Sequence, residues 1–359
     1  MDPNITPPDT EQADGDVVQN RFSPSHLMTL IPGVGVAAVI TAIATYLGHL
    51  FPIVGSPVFA ILIGAISTIF IKLPSSFAPG VRFTSRGILQ ASVVLLGLGL
   101  SLSQVLRVGA SSLPVLAGTL LAAIGGGFLV GRLLKIEPDI SLLVSVGTGI
   151  CGASAIAAMS ATIAATESEI AYSIATIFTF NVAAVLTFPL LGHLIGMSSR
   201  SFGLFAGTAV NDMSSVVAAA TVFSGASVGY AVIVKLTRTL AIVPLTVGTA
   251  LIRQRRHEDP ASSSLAVFSR QIRKGFPPFI LFFLLAVVVS SIGIVPTFVR
   301  VHVSTVATVM ITAALAAIGL SIRFDKIRRA GFKPLAMGAI LWVLVAATSL
   351  SLQTFLHIK

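Results

Sequence analysis

Charge is scarce in this chain. Asp, Glu, Lys and Arg make up 10% of its 359 residues, while 55% are hydrophobic and the mean hydropathy is +0.96. Soluble domains carry about 25% charged residues, so a soluble globular fold is excluded. Cysteine is nearly absent: Cys151 stands alone, and no disulfide can form within the chain. The six histidines (His26, His49, His193, His257, His302 and His357) are scattered without metal-ligand spacing, so neither a metal nor an organic cofactor is expected. Trp342 is the only tryptophan against 22 phenylalanines, and aromatic belts therefore give no guide to the membrane interfaces. The N-terminus lacks the basic stretch and apolar core of a signal peptide. Residues 1–26 read instead as a polar, acidic, proline-containing cytoplasmic tail without fixed structure.

What the chain has is apolar length. Blocks of roughly 20 residues, enough to cross a hydrocarbon core about 30 Å thick, recur along it. They predict an all-α polytopic membrane helix bundle of about eleven spans near 27–49, 55–73, 84–106, 111–134, 140–165, 169–195, 200–223, 226–252, 276–295, 300–322 and 333–356. Residues 27–359 form one transmembrane domain, with a cytoplasmic loop at about 253–275 between spans eight and nine. The net charge of +10 does not signal nucleic acid, because the cations sit in short loops between apolar runs. With the N-terminus inside, seventeen Lys and Arg fall in inside loops, against Arg107, Arg300 and Lys359 outside. The positive-inside rule then gives N-in and C-out.

Two internal echoes suggest repeats. "GLGLSLSQVLRVG" closes span three and "AIGLSIRFDKIRRAG" closes span ten; these spans run in opposite directions, as an inverted repeat requires. "GTGICGASAIAA" and "GTAVNDMSSVVAAA" match at a constant offset of sixty, pairing Gly147 with Gly207, Thr148 with Thr208 and Ser154 with Ser214. Eleven full spans would make this second pair parallel. Either the likeness is shared helix-breaking composition, or one of the two segments does not cross.

Three segments carry candidate chemistry. Gly147, Gly149 and Gly152, mixed with Thr148, Cys151 and Ser154, predict a broken helix near the midplane, since each glycine weakens a helix by about 1 kcal/mol. Freed backbone groups there must face protein or a cavity, and a restarting helix offers N–H groups and a positive dipole end to an anion. The bland reading is close helix packing through small residues. Asp212 is the only acid within an apolar span, flanked by Asn211, Ser214 and Ser215. Lys235 and Arg238, three apart, share one helical face deep in span eight. Each costs about 2.5–3.5 kcal/mol at mid-bilayer, and two cations against one acid leave a charge that a mobile anion would balance. The competing reading is a static Asp212–Lys235/Arg238 lock. Gln90, Asn181 and Tyr230 read as interhelical hydrogen-bonding groups. No histidine lies where it would activate Ser154, so an intramembrane hydrolase is not expected, and no enzymatic activity is.

"GTGICGASAIAA", "AVNDMSSVVAAA" and "VKLTRTL", in this order and spacing, resemble the YeiH-like family of bacterial inner-membrane proteins described as sulfate exporters. The resemblance runs from about residue 28 to the end. It implies a distant similarity to the bile-acid/arginine transporter superfamily, with a panel and a core and with discontinuous helices crossing near the midplane. Residues and resemblance together point to a secondary transporter of a small anion (sulfate, sulfite or a sulfonate). Lys235 and Arg238 would contact the solute, Asp212 would tune their charge or carry a proton, and Asn211, Ser214, Gly149, Cys151, Gly152 and Ser154 would complete the site. The expected partners are that solute, a proton or other coupling ion, the bilayer and, at most, a second copy of the chain. A cation/proton antiporter centred on Asp212 and a non-transporting membrane scaffold or sensor are the alternatives.

Overall fold

The structure is a computed structural model, and it describes residues 24–51, 56–70, 74–256, 278–321 and 332–358. Most of the predicted N-terminal tail and of the loop near 253–275 therefore lies outside the described residues. The described chain is all helical. The helices are α1 (Pro24–Leu50), α2 (Ser56–Phe70), α3 (Ala78–Arg82, a π-helical turn Phe83–Ile88, and Leu89–Gly97) and α4 (Leu102–Leu133). Next come α5 (Pro138–Gly149), α6 (Ala153–Ile163), α7 (Glu167–Leu194), α8 (Ser199–Ala209) and α9 (Met213–Phe223). The remainder are α10 (Gly225–Thr239), α11 (Ile242–Arg256), α12 (Pro278–Ser291), α13 (Thr297–Ser321) and α14 (Phe332–Phe355). Among the described residues, five stretches are long and apolar enough to cross a bilayer unaided: Met28–Leu50, Leu102–Leu133, Glu167–Leu194, Gly225–Ala250 and Phe332–Phe355. The protein is a polytopic membrane helix bundle.

The helices pack as two groups. One holds α1, α2, α3, α12 and α13; the other holds α4 to α11 and α14. The main contacts between the groups are those of α9 with α2 and α13, and of α4 with α12. Glycines set the closest approaches, as expected where helices gain nothing from hydrophobic exclusion and associate by backbone proximity. In the first group Gly64 and Gly319 face each other, and a Cβ at Gly319 would meet the carbonyl oxygen of Ile61 at 2.5 Å. In the second, a Cβ at Gly207 on α8 would meet Val234 Cβ on α10 at 2.7 Å.

The segments expected as spans five and seven each turn back on themselves. In the second of these the two ends meet. Ser199 Oγ, at the start of α8, lies 3.2 Å from Ser224 Oγ, just past the end of α9. Phe202 in the first turn of α8 stacks on Phe223 in the last turn of α9, with ring centroids 4.0 Å apart. Helices α8 and α9 therefore form a re-entrant hairpin, with 210–212 at its tip. The first segment behaves the same way. Helix α5 runs back along α4, where Ser141 Oγ donates to Gly127 O at 3.0 Å. A Cβ at Gly147 would meet the Ile156 side chain at 2.9 Å, across the turn on α6. Gly127, near the end of α4, faces Met337, and Gly338 faces Thr176 and Phe180 of α7. The start of α7 thus lies at the same face of the bundle as the start of α5, and α6 returns to that face.

The two hairpins enter from opposite faces. Along α7, Gly192 meets the base of the α8–α9 hairpin at Phe202 and Phe223, while Ile177 meets the tip of the α5–α6 hairpin at Gly152. This answers the puzzle of the offset-sixty repeat: the two segments are antiparallel copies, and neither crosses. It also corrects the expectation of helices that cross near the midplane. The physical reason lies at the turns. Three residues separate the arms of each hairpin, and Gly152 takes φ +69°, a left-handed conformation that glycine adopts without strain, so the chain reverses there. The echo between spans three and ten keeps its antiparallel sense: α3 and α12 end together, with Ser290 Oγ donating to Leu98 O at 2.7 Å, and α13 returns from that face. Its polar half, after Ser321, lies outside the described residues.

Packing at these glycines gives a matched test. Gly207→Val inserts a branched side chain against Val234, an overpacking that costs ~1–3 kcal/mol, whereas Gly125 has nothing within 4 Å of an added Cβ. The melting temperature of detergent-solubilised protein should fall by several degrees for Gly207→Val and stay within about a degree of wild type for Gly125→Ala.

Candidate functional site

Lys235 and Arg238 lie where the two hairpin tips meet. They project from α10, which enters the bundle beside the α8–α9 hairpin and continues, after a break at Leu240–Ala241, as α11 along α6. Both cations are sealed from solvent, at 0% and 2% exposure. Lys235 Nζ donates to the carbonyl oxygens of Ile150 at 2.8 Å and Val210 at 2.6 Å. Arg238 donates through Nη1 to Thr208 O and through Nη2 to Thr148 O, the latter at 3.3 Å. Each cation therefore takes one carbonyl from each hairpin.

The choice of carbonyls follows from helix ends. Thr148, Ile150, Thr208 and Val210 sit at the C-terminal ends of α5 and α8, where carbonyls have no helical N–H to accept. Each such end carries roughly half a negative charge, so two ends together offer about one unit to the cations. Charge-assisted hydrogen bonds contribute ~1.5–3 kcal/mol each, and two per cation roughly offset the ~2.5–3.5 kcal/mol cost of placing it at mid-bilayer. The four acceptors are also pairs in the repeat: 150 with 210, and 148 with 208, each sixty apart. One side chain thus binds equivalent atoms of both hairpins.

Asp212 plays a different part from the one its charge suggests. Among the described residues no ion pair joins it to Lys235 or Arg238, so the static lock is not what holds the tips. Its Oδ2 caps α9, accepting from Ser214 N at 3.0 Å, from Ser215 N at 3.4 Å and from Ser214 Oγ. Asp212 Cβ lies 3.5 Å from where a Cβ on Gly152 would stand, so the capping acid of one hairpin abuts the helix start of the other. Helix α6 has no side-chain cap. Ser154, at its second position, is exposed, and Asp212 and Ser214 are partly so. The C-terminal ends of the two first arms are buried around cations, while the N-terminal ends of the two second arms remain accessible.

The other predicted residues fall at the tips. Gly149 ends α5 against Ala123 and Leu120, where a Cβ would stand 3.1–3.2 Å from their side chains. Cys151 is buried in an apolar cluster with Leu143, Ile150, Met159 and Ile177, as a small packing residue. Asn211 is 1% exposed, and its Oδ1 has no hydrogen-bond partner. Arg238 Nε is likewise buried without a partner. Asn181 on α7 is the interhelical group expected of it: its Oδ1 accepts from Asn211 N at 3.2 Å and Asp212 N at 3.3 Å, fixing the tip of the α8–α9 hairpin. Sequence reasoning did not single out the carbonyls of residues 148, 150, 208 and 210 as ligands. The constant offset of sixty was the signal that could have found them, since it aligns all four.

Comparison with known proteins bears on this geometry. The family described as Conserved hypothetical protein 698 matches residues 32–338. The chain belongs to that family. A UPF0324 membrane protein of Streptococcus pyogenes serotype M6 is 42% identical over 341 residues, covering 93% of this chain and 99% of the relative. UPF0324 membrane proteins of Streptococcus mutans serotype c and Clostridium tetani are each 41% identical, covering 91% and 89% of this chain and 98% and 96% of the relatives. No solved structure matches. The family match spans both hairpins and α10, so the site described here lies wholly within the shared part of the UPF0324 chains.

Cys151 offers a native reporter of the tip contact. Lys235→Met leaves the carbonyls of Ile150 and Val210 without a donor, at ~1–3 kcal/mol per unsatisfied group. Loss of ~1.4 kcal/mol is about a tenfold shift in an equilibrium. Maleimide labelling of Cys151 in detergent should therefore accelerate at least about tenfold in Lys235→Met, and should not change in Thr237→Val, whose side chain does not reach the tips.

Proposed function

We propose that this membrane protein is a secondary transporter that moves a small oxyanion such as sulfate, sulfite or a sulfonate by alternating access. The observation that carries the reading is the state of the two buried cations. Each retains a donor beyond those spent on carbonyls: the third N–H of Lys235 Nζ and the buried, unpartnered Nε–H of Arg238. An oxyanion supplies the acceptors such donors lack. Opposed hairpins meeting inside the bundle, in a helix group that touches the other group along few helices, provide a site that two faces can reach in turn. The free N-terminus of α6, with Gly152 and Ser154, adds backbone and hydroxyl donors, and Ser214 adds a hydroxyl at the neighbouring helix start. Gly149, Cys151 and Asn211 shape the tips, and Asp212 tunes the charge between them. The likeness of "GTGICGASAIAA", "AVNDMSSVVAAA" and "VKLTRTL" to the YeiH-like sulfate exporters favours a sulfur oxyanion within this class.

Orientation follows from the basic residues once the hairpins are counted. Arg200 lies at the base of the α8–α9 hairpin, on the face opposite the start of α1, and so leaves the inside set. The asymmetry becomes sixteen against four. It still favours a cytoplasmic N-terminus and an external C-terminus in a bacterial inner membrane, because two hairpins in place of two spans keep the parity. One observation favours a second reading: the unpartnered acceptor Asn211 Oδ1 beside Asp212 would suit a bound cation in a cation/proton antiporter.

Flux separates these readings. Purified protein in proteoliposomes should move labelled sulfate or sulfite, and Arg238→Ala and Lys235→Ala should each lower that flux at least about tenfold, the effect of ~1.4 kcal/mol in the transport step. Unchanged flux in both variants removes the site assignment. Cation-dependent proton movement without anion flux favours the antiporter, and no flux of any solute favours a scaffold or sensor.

A further inference from the structure

Asp212 occupies a position that a free anion would otherwise take. Its carboxylate stands at the N-terminus of α9, and its Cβ abuts Gly152 at the uncapped N-terminus of α6. Two helix N-termini carry roughly half a positive charge each, so one carboxylate balances the pair. All the hydrogen bonds it accepts fall on Oδ2: Ser214 N, Ser214 Oγ and Ser215 N. Among the described residues Oδ1 accepts none, on a residue that is itself partly exposed. Helix α9 is also the part of its helix group that meets α2 and α13. The carboxylate is thus both the counter-charge of the tip layer and its accessible acid.

A solute anion entering this layer would bring a second negative charge beside the first. Among the groups facing Asp212, none but Asp212 itself can relieve that by taking up a proton. From α7 the neighbour is the neutral Asn181. From the α5–α6 hairpin they are Gly152 and the thiol of Cys151. From α10 it is Lys235, which is within electrostatic reach but occupied by Ile150 O and Val210 O. Helix α2 has no titratable residue, α8 has only Arg200 at its base, and on α13 the charged and titratable residues Arg300 and His302 lie near its start. Among these, Asp212 is the group whose charge can be cancelled by a proton without breaking the contacts of the cations.

We propose that Asp212 takes up one proton when the anion binds, so that anion and proton are carried together. This rests on the anion-transporter reading and adds the coupling ion to it. Neutralising Asp212 keeps its cap, because a protonated carboxyl or an asparagine still offers an oxygen to Ser214 N. The anion then supplies the negative charge at the two helix starts. By linkage, binding that carries one proton strengthens about tenfold for each unit that pH falls over the range in which that proton is taken up.

The test is sulfate binding by isothermal titration calorimetry on the full chain in detergent, between about pH 5.5 and 8, where sulfate keeps its own charge. Repeating each titration in buffers of different ionisation enthalpy counts protons directly. Wild type should take up one proton per sulfate, with affinity falling as pH rises. Asp212→Asn should take up none and bind with a pH-independent affinity that the wild-type value approaches in acid. Binding without proton uptake in wild type overturns the coupling while leaving the anion reading intact. Proton uptake that persists in Asp212→Asn places the proton elsewhere and also overturns it. Binding that depends on Na⁺ at fixed pH replaces the proton with a metal cation. If neither protein binds sulfate, sulfite or thiosulfate, the anion reading and the coupling fall together.

Discussion

The architecture depends on four carbonyl oxygens at two helix ends being satisfied by two cations on a third helix. Neither hairpin is self-sufficient at its tip: α5 and α8 each stop in mid-bundle with unpaired carbonyls, in a layer where water is not freely available. Lys235 and Arg238 are equally unsuited to that layer alone. Together the deficits cancel. Each cation takes one oxygen from each hairpin, so the tips are held to α10 and, through it, to one another.

The arrangement has an approximate twofold symmetry that the side chains break. The arms match at a constant sixty, from Thr148 with Thr208 through Gly152 with Asp212 to Ser154 with Ser214. At the C-terminal ends the symmetry is kept, since one cation reads equivalent oxygens of both copies. At the N-terminal ends it is lost: α9 begins at a capping aspartate, and α6 begins at a glycine with positive φ and no cap. Basic charge stabilises one side of the tip layer, and an acidic group with an open helix start forms the other. On the transporter reading such asymmetry is useful, because the exposed half can admit a solute to a layer whose two buried cations keep unspent donors.

Much of this was legible in the residues. Apolar block length gave the all-helical membrane bundle, and glycine density at 147–152 gave the first break. The internal likeness between the two motifs gave the repeat, and the depth of Lys235 and Arg238 within an apolar run marked the centre of the site. What could not be read was where the chain turns. A hydrophobic run of about 25 residues has the same composition whether it crosses or folds back, because both forms bury the same side chains; only contacts such as Ser199 with Ser224 and Phe202 with Phe223 distinguish them. The partners of the cations were hidden for a related reason. Every residue has a carbonyl, so the sequence pattern emphasised the single acid, Asp212, whereas the unpaired oxygens existed only once the helices were known to end at residues 149 and 209. Asn181 was visible as a buried polar group, and its donors, the N–H groups of Asn211 and Asp212, were not.

The central claim is that two re-entrant hairpins from opposite faces are pinned tip to tip. Single cysteines at the exposed hairpin bases, placed in a Cys151→Ala background, test it most directly: Glu137→Cys and Glu167→Cys flank the first hairpin, and Arg200→Cys and Ala226→Cys flank the second. With a membrane-impermeant maleimide on right-side-out and inverted vesicles, positions 137 and 167 should label from one common side and positions 200 and 226 from the other. Labelling of 137 and 167 from opposite sides would mean that the first segment crosses the membrane, and the tip-to-tip arrangement would be contradicted.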